Sequence, residues 1–191
     1  GNKGDYSILN PNDHVNYGQS TNDVYPTAMR IAVLLMLKEL IPVMDELAGA
    51  FNRKAEEFNL IVKSGRTHLQ DAAPIRLGQE FSGYADSVSK SVERIENAGA
   101  SLYELGIGGT AVGTGLNTHP DYTKRIIKEL QDLTSLPVRS ATNRFEAMQS
   151  NASIAEVSGS IKVFAVELIR IANDLRLLSS GPKTGLDEIN L

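Results

Sequence analysis

The chain is 191 residues long, 41% hydrophobic and 22% charged, a globular composition and not a disordered one. Its 19 basic and 23 acidic residues leave a formal charge of -4, which excludes bulk attraction to nucleic acid or an anionic membrane but not a local cationic pocket for a small anion. Cysteine is absent, and His14, His68 and His119 stand far apart. Disulfides, thiolate catalysis, cysteine-ligated metals and an H-E-x-x-H metal site are therefore excluded.

No apolar run approaches the roughly 18 residues that span a bilayer. The longest, Ile31 to Leu37, runs straight into Lys38 and Glu39. No secretory signal pattern is visible. The chain opens Gly1-Asn2-Lys3 without an initiator methionine and stops at Leu191 in mid-run, so the expectation is a piece of a longer polypeptide.

Residues 1–20 are rich in Asn, Gly, Pro and Asp and read as turns and loops. A helix is expected from Ser20 to about Phe58. Ser20, Thr21, Asn22 and Asp23 supply N-cap chemistry and early negative charge, and Pro26 is tolerable in a first turn. Ile31, Leu34, Leu35, Leu37, Leu40, Ile41, Met44 and Leu47 follow at close to helical spacing. Pro42 predicts a kink. Ser64–Pro74 reads as a loop, and a second helix is expected from about Leu77 to Leu105. Ile107–Asn117 carries four glycines in eleven residues and is no quiet helix interior. A shorter helix is expected from Pro120 to about Leu133. Pro137 falls in the next connection. A last helix, roughly 50 Å long, is expected from Phe145 to Leu178, with Arg176 in its final turns and Gly181-Pro182 beyond. Strand signals are confined to Val62 and Pro137–Val138.

The fold class read from this pattern is all-α, an elongated bundle of long helices in one domain over residues 1–191. Val163, Phe164, Val166, Leu168, Ile169, Ile171, Leu175 and Leu177 occupy more than one face of the last helix. Such a helix needs cover on several faces, from self-association or from further parts of a longer chain.

The chemistry-bearing residues fall in a few segments. In H14-V-N-Y-G-Q-S-T-N-D23, Ser20, Thr21 and Asn22 stand at a helix N-terminus, where free N–H groups and the helix dipole favour an anion. Plain capping accounts for any one of them. In G65-R-T-H-L-Q-D-A-A-P-I-R-L-G78, Thr67, His68, Gln70 and Asp71 crowd into five residues. A histidine beside a hydroxyl can bind a carboxylate or shuttle a proton. A loop stapled by its own side chains is the structural alternative. The glycine-rich segment lacks both G-x-G-x-x-G after a strand and the G-K-[ST] ending of a P-loop, so a nucleotide site is rejected. Its glycines suit a tight chain path beside a ligand or a neighbouring helix. The stretch Leu175–Asn190 reads as a helix C-terminus followed by a turn.

Taken together, H14-V-N-Y-G-Q-S-T-N-D23, G65-R-T-H-L-Q-D-A-A-P74, G109-T-A-V-G-T-G-L-N117 and N173-D-L-R-L-L-S-S-G-P182 resemble the aspartase/fumarase superfamily in order and spacing. The resemblance covers essentially the whole chain. It implies the central helical domain of a cytoplasmic homotetramer whose active sites each take loops from three subunits. It also implies a lyase acting on a small dicarboxylate by anti elimination. A proton leaves the carbon beside one carboxylate, ammonia or water leaves the next carbon, and fumarate results. The intermediate is a dianionic aci-carboxylate, whose charge needs preorganised donors.

On this resemblance Ser20 and Thr21 bind that carboxylate, and Asn22 contacts the substrate near its leaving group. Thr67 and His68, from a second subunit, are the expected catalytic pair and hold the amino group or the other carboxylate. Gln70 joins the substrate-binding set. No cofactor and no metal are implied, and neither nucleic acid nor a membrane is an expected partner.

Several details resemble the aspartase branch, which eliminates ammonia from L-aspartate. Q19-S-T-N-D23 has threonine where fumarases usually have a second serine, and L69-Q-D71 has glutamine where they usually have methionine. L178-S-S-G-P182 and E188-I-N-L191 resemble the same branch, and Asn10 stands where many fumarases place a histidine of a second anion site. G108-G-T110 and N143-R-F-E-A147 instead resemble the fumarase branch, which acts on malate. A non-catalytic helical scaffold, as in some lens crystallins of the wider superfamily, is the alternative from another class. The family's serine base, with a clamping lysine and asparagine, lies in a G-S-S-x-M-P-x-K-x-N loop expected beyond Leu191, and an N-terminal domain is expected before Gly1. The 191 residues alone are therefore expected to be catalytically incompetent.

Overall fold

The computed structural model describes residues 2–191; Gly1, at the head of the expected loop segment, lies outside the described residues. A π-helical turn, Pro11–Val15, precedes helix α1, Thr21–Glu57. Strands β1, Val62–Thr67, and β2, Gln70–Arg76, form an antiparallel hairpin. Helix α2, Leu77–Gly99, follows, then a 3-10 turn, Ala100–Tyr103, and the two-residue strand β3, Glu104–Leu105. Helix α3, Tyr122–Thr134, leads to β4, Arg139–Ser140, which pairs parallel to β3. Helices α4, Arg144–Gln149, and α5, Ala152–Leu178, complete the order. The class is all-α, as the helical spacing predicts.

The chain divides into two compact units. One holds the residues up to Lys38 together with Ala98–Glu156, and the other holds Glu39–Asn97 together with Val157–Leu191. In the first unit Leu34, Leu37, Leu102, Leu105, Ile107 and Val138 are core residues. In the second, Met44, Phe81, Val88, Ile95, Val157 and Phe164 are buried. An aromatic cluster joins the end of α1 to the start of α2: the ring of Phe51 lies 5.8 Å from that of Tyr84, and Phe58, just past α1, lies 5.1 Å from Phe81.

Helical periodicity explains which residues are inside. The buried positions of α1 are Asp23, Thr27, Arg30, Leu34, Leu37, Met44 and Ala48, and those of α5 are Val157, Phe164, Ile171 and Leu178. Steps of three, four and seven keep one stripe on one face. On α5 the apolar residues Ile161, Val163, Val166, Ile169 and Leu177 stay exposed, as expected for a helix apolar on several faces.

The structure corrects four expectations. Ser64–Pro74 is not a loop but most of the hairpin, in which Ser64 pairs with Pro74 and Thr67 with Gln70. Pro74 is tolerated because in a two-stranded ribbon each strand has a free edge. The second helix stops at Gly99 instead of Leu105, where the chain turns to bring Glu104 beside Arg139. The last helix is split at Ser150, whose backbone is extended (φ -85°, ψ 125°) and whose Oγ accepts from the Ala152 N–H at 3.3 Å. At 27 residues, α5 is about 40 Å long. The extended chain foreseen at Pro137–Val138 becomes a strand two residues later, at Arg139–Ser140. Helix α1 is continuous through Pro42.

One buried cation explains two of those breaks. Arg30, 3% exposed, donates Nη1 to the carbonyls of Ser101 (3.2 Å) and Glu104 (3.1 Å) and Nη2 to those of Ala147 and Ser150 (3.4 Å each). These carbonyls lie where the chain leaves α2 and α4, and a regular helix would have consumed several of them.

Candidate active site

In the first unit the start of α1 is closed by a reciprocal cap. Ser20 Oγ accepts from the Asn22 N–H at 3.2 Å, and Asp23 Oδ1 accepts from the Ser20 N–H at 3.0 Å. That resembles a capping box with aspartate in the third helical position, except that the serine oxygen takes the N–H of the second residue and not the third. Asp23 then does more than cap. Its Oδ2 accepts from the N–H groups of Gly108 (3.0 Å) and Thr110 (2.9 Å), and the residue is fully buried. A single dry carboxylate thus binds three backbone donors and ties the helix start to the glycine-rich segment.

That segment follows the tight path the glycines suggested. Gly108 has φ +88°, and a side chain there would collide with Thr123; Gly113 has φ +105°, and a Cβ would lie 2.8 Å from the Phe145 ring. Arg144 Nη1 donates to the Gly108 carbonyl at 3.0 Å, and Asn22 Nδ2 donates to the Ala111 carbonyl at 2.8 Å. Asn22 is therefore already engaged through its amide nitrogen. Thr21 and Asn22 are exposed, and Ser20 is half-buried. Thr21 lines a groove of about 420 Å³ with Ser20, Gln19 and Tyr25, and a second of about 540 Å³ with Asn22, Val112 and Phe145. Upstream, Asn10 is not a free polar group. Its Oδ1 caps the π-helical turn by accepting from the N–H groups of Asn12 (2.8 Å) and Asp13 (3.2 Å).

In the second unit, Thr67, His68 and Gln70 form the exposed tip of the hairpin. The connecting residues His68 and Leu69 have φ 51° and 63°, as a two-residue type I′ turn requires. Asparagine and glycine usually meet that demand. Histidine tolerates it, but leucine is strained there. Lower in the hairpin the register shifts between Gly65 and Arg66, leaving Ala72 as an extra residue, and such a bulge re-aims the side chains beyond it. Ser64 Oγ donates to Asp71 Oδ1 at 2.8 Å, so part of the self-stapled alternative is also true.

A cavity of about 660 Å³ lies against the hairpin, lined by Thr67, His68, Lys63, Arg66, Glu80 and Asp174 among others. Its ionic groups form one network. Lys63 Nζ lies 2.7 Å from Glu80 Oε2 and 2.8 Å from Glu188 Oε2. Arg66 grips the same Glu188 with two prongs, Nη2 to Oε1 at 2.7 Å and Nη1 to Oε2 at 3.2 Å. The hydrogen bond from Arg66 holds the Glu188 carboxyl below the usual glutamate range, and the same bond raises the guanidinium further above its already high value. Burial, with Glu80 and Asp174 nearby, pushes the Tyr84 hydroxyl well above its ordinary value, so it stays protonated.

Ser20, Thr21 and Asn22 belong to the first unit, and Thr67, His68 and Gln70 belong to the second. Each set is gathered within its own unit. Sequence reasoning passed over Asp23 as a hub, although the S-x-x-D spacing from Ser20 was a legible capping signal. It also missed Arg66 and Glu188, which are 122 residues apart and carry no local signal. Among the described residues, no group of three His, Cys, Asp or Glu side chains is placed to hold a metal ion, and no helix is long and apolar enough to cross a membrane.

A lyase family model matches residues 3–191. The chain belongs to the lyase family. It is 49% identical over 189 residues to the aspartate ammonia-lyase of Bacillus subtilis and 51% identical over 189 residues to that of Helicobacter pylori, in each case over 99% of this chain and 40% of the relative. It is 48% identical over 187 residues to a class II fumarate hydratase of Neisseria meningitidis, over 97% of this chain and 40% of that one. The chain thus spans about 40% of the length of these relatives. Two crystal structures of lyases share the fold. A fumarate lyase:delta crystallin from Brucella melitensis bound to cobalt superposes with a TM-score of 0.92 at 44% identity, over 96% of this chain and 40% of that one. A recombinant class II fumarase from Schistosoma mansoni superposes with a TM-score of 0.88 at 36% identity, over 93% and 40%. The ammonia-lyase and hydratase branches of the lyase family stand equally close by identity.

Proposed function

We propose that the full-length protein containing this chain eliminates ammonia from L-aspartate to give fumarate. The observation that carries this reading is the hairpin tip. Two consecutive left-handed residues, one of them a strained leucine, hold Thr67, His68 and Gln70 exposed, with Thr67 and His68 lining a cavity of about 660 Å³. Strain of that kind is kept where the surroundings over-determine it, often at functional sites.

In the proposed mechanism Thr67 and His68 are the catalytic pair. They hold the amino group or the distal carboxylate, and Gln70 helps select the substrate. Ser20 and Thr21, at the dipole-positive end of α1, bind the carboxylate whose charge grows as the proton leaves. Asn22 contacts the substrate near its leaving group. The base that abstracts the proton is a serine outside residues 1–191, so these residues alone do not turn over. The reading includes assembly as a cytoplasmic homotetramer, supported by the apolar residues of α5 that stay exposed in a single chain.

Elimination of water from malate is the second reading, favoured by G108-G-T110 and N143-R-F-E-A147. Fumarate absorbance measured separately with L-aspartate and L-malate on the full-length protein decides between them. Fumarate from aspartate is the expected result. Fumarate from malate alone makes the protein a hydratase, and fumarate from neither leaves only the scaffold reading.

A further inference from the structure

Resting on the reading of Thr67 and His68 as substrate contacts, we propose that Glu188 and Arg66 form a latch that positions the hairpin tip, making both of them positioning residues for the elimination. Arg66 is the residue immediately before Thr67, at the point where the hairpin register shifts. Its guanidinium is held in a two-pronged contact that fixes orientation as well as distance.

The other half of the latch is itself braced. The Glu188 N–H donates to the Leu178 carbonyl at 2.9 Å, the Asp187 N–H to the Ser180 carbonyl at 2.7 Å, and the Leu186 N–H to Ser180 Oγ at 3.1 Å. The segment after α5 therefore folds back on the end of that helix and presents Glu188 to the hairpin from a fixed base.

Charge balance separates this role from ligand binding. Lys63 and Arg66 face Glu80 and Glu188, with 7%, 20%, 25% and 18% of the respective side chains exposed, and Arg66 Nε also lies 3.8 Å from the exposed Asp71, so two cations stand against three anions. The network has no surplus positive charge for an incoming anion. Its function is mechanical: it fixes the residue that precedes Thr67, while the tip beyond is exposed and strained.

Two measurements on the full-length protein test the latch. The first is amide hydrogen exchange over residues 66–71 in the wild type and in Glu188→Gln. Exchange about tenfold faster in the variant is expected, and unchanged exchange overturns the proposal. The second is kcat/KM for Glu188→Gln, Arg66→Gln and the double variant. Each single change is expected to lower kcat/KM by about tenfold to a hundredfold, and the double variant by no more than the worse single. Additive losses, or a lower thermal midpoint with kcat/KM unchanged, would mean an ordinary structural ion pair. Should Glu188→Gln fail to fold, Arg66→Lys carries the same expectation at smaller size, because it keeps the charge and loses the second prong. If the wild type makes fumarate from neither substrate, the functional reading falls, and the exchange comparison still decides the latch.

Discussion

The start of α1 and the tip of the hairpin present comparable chemistry, hydroxyls beside an amide or an imidazole, yet they are held by different physics. At the helix start one buried carboxylate binds backbone N–H groups of Ser20, Gly108 and Thr110. Those donors are part of the main chain and cannot swing away, and the site is dry, so each bond is strong and unscreened. At the hairpin the hold is side chain to side chain, between partly exposed charges and next to a strained turn. Such contacts respond to pH, salt and rotamer changes. One region is a fixed platform, and the other is an adjustable arm.

Asp23→Asn breaks the comparison most severely. It keeps the shape but turns one acceptor into a donor facing backbone N–H groups. A loss of about 2–4 kcal/mol is expected, read as a large fall in thermal midpoint. A midpoint within a degree or so of wild type would remove Asp23 as the hub.

A pH series sharpens the contrast at the hairpin. Because Arg66 holds the Glu188 carboxyl below the usual glutamate range, the latch contributes stability above the unfolded glutamate value. That contribution persists through neutral pH and disappears as the pH falls through the depressed folded value. The difference in thermal midpoint between wild type and Glu188→Gln should be largest near neutrality and shrink as the pH falls below the usual glutamate range and through the depressed folded value. A difference that instead grows on acidification contradicts the assignment.

The smallest effect is expected at Leu69. Glycine at this left-handed position relieves strain but adds unfolded-state entropy, for a net gain of about 0.5–1 kcal/mol. A rise in thermal midpoint for Leu69→Gly is the expected outcome, and a fall would show that the turn is not strained.

Much of this protein was legible without coordinates. The long helices follow from apolar residues recurring by threes and fours, because burial along one face needs only that spacing. The helix start was legible because capping is local chemistry between residues two and three apart. The hairpin was hidden, since Val62–Arg76 mixes Gly, Ala, Pro and charged residues with no alternation, and its identity lies in backbone pairing that side chains do not announce. The break at Ser150 was hidden because the cation that claims its carbonyl, Arg30, lies 120 residues earlier.

Local periodicity and capping by themselves determined the all-α class and the positions of the main helices, while the roles expected of the two candidate site segments came from their resemblance to a known family. Only the tertiary structure decided where those helices stop, that Asp23 unites the helix start with the glycine-rich segment, and that Glu188 grips Arg66. The physical reason is range. Helix formation is settled by neighbours within a turn or two, whereas a buried polar group takes whichever partner folding brings within about 3 Å, however distant in the chain.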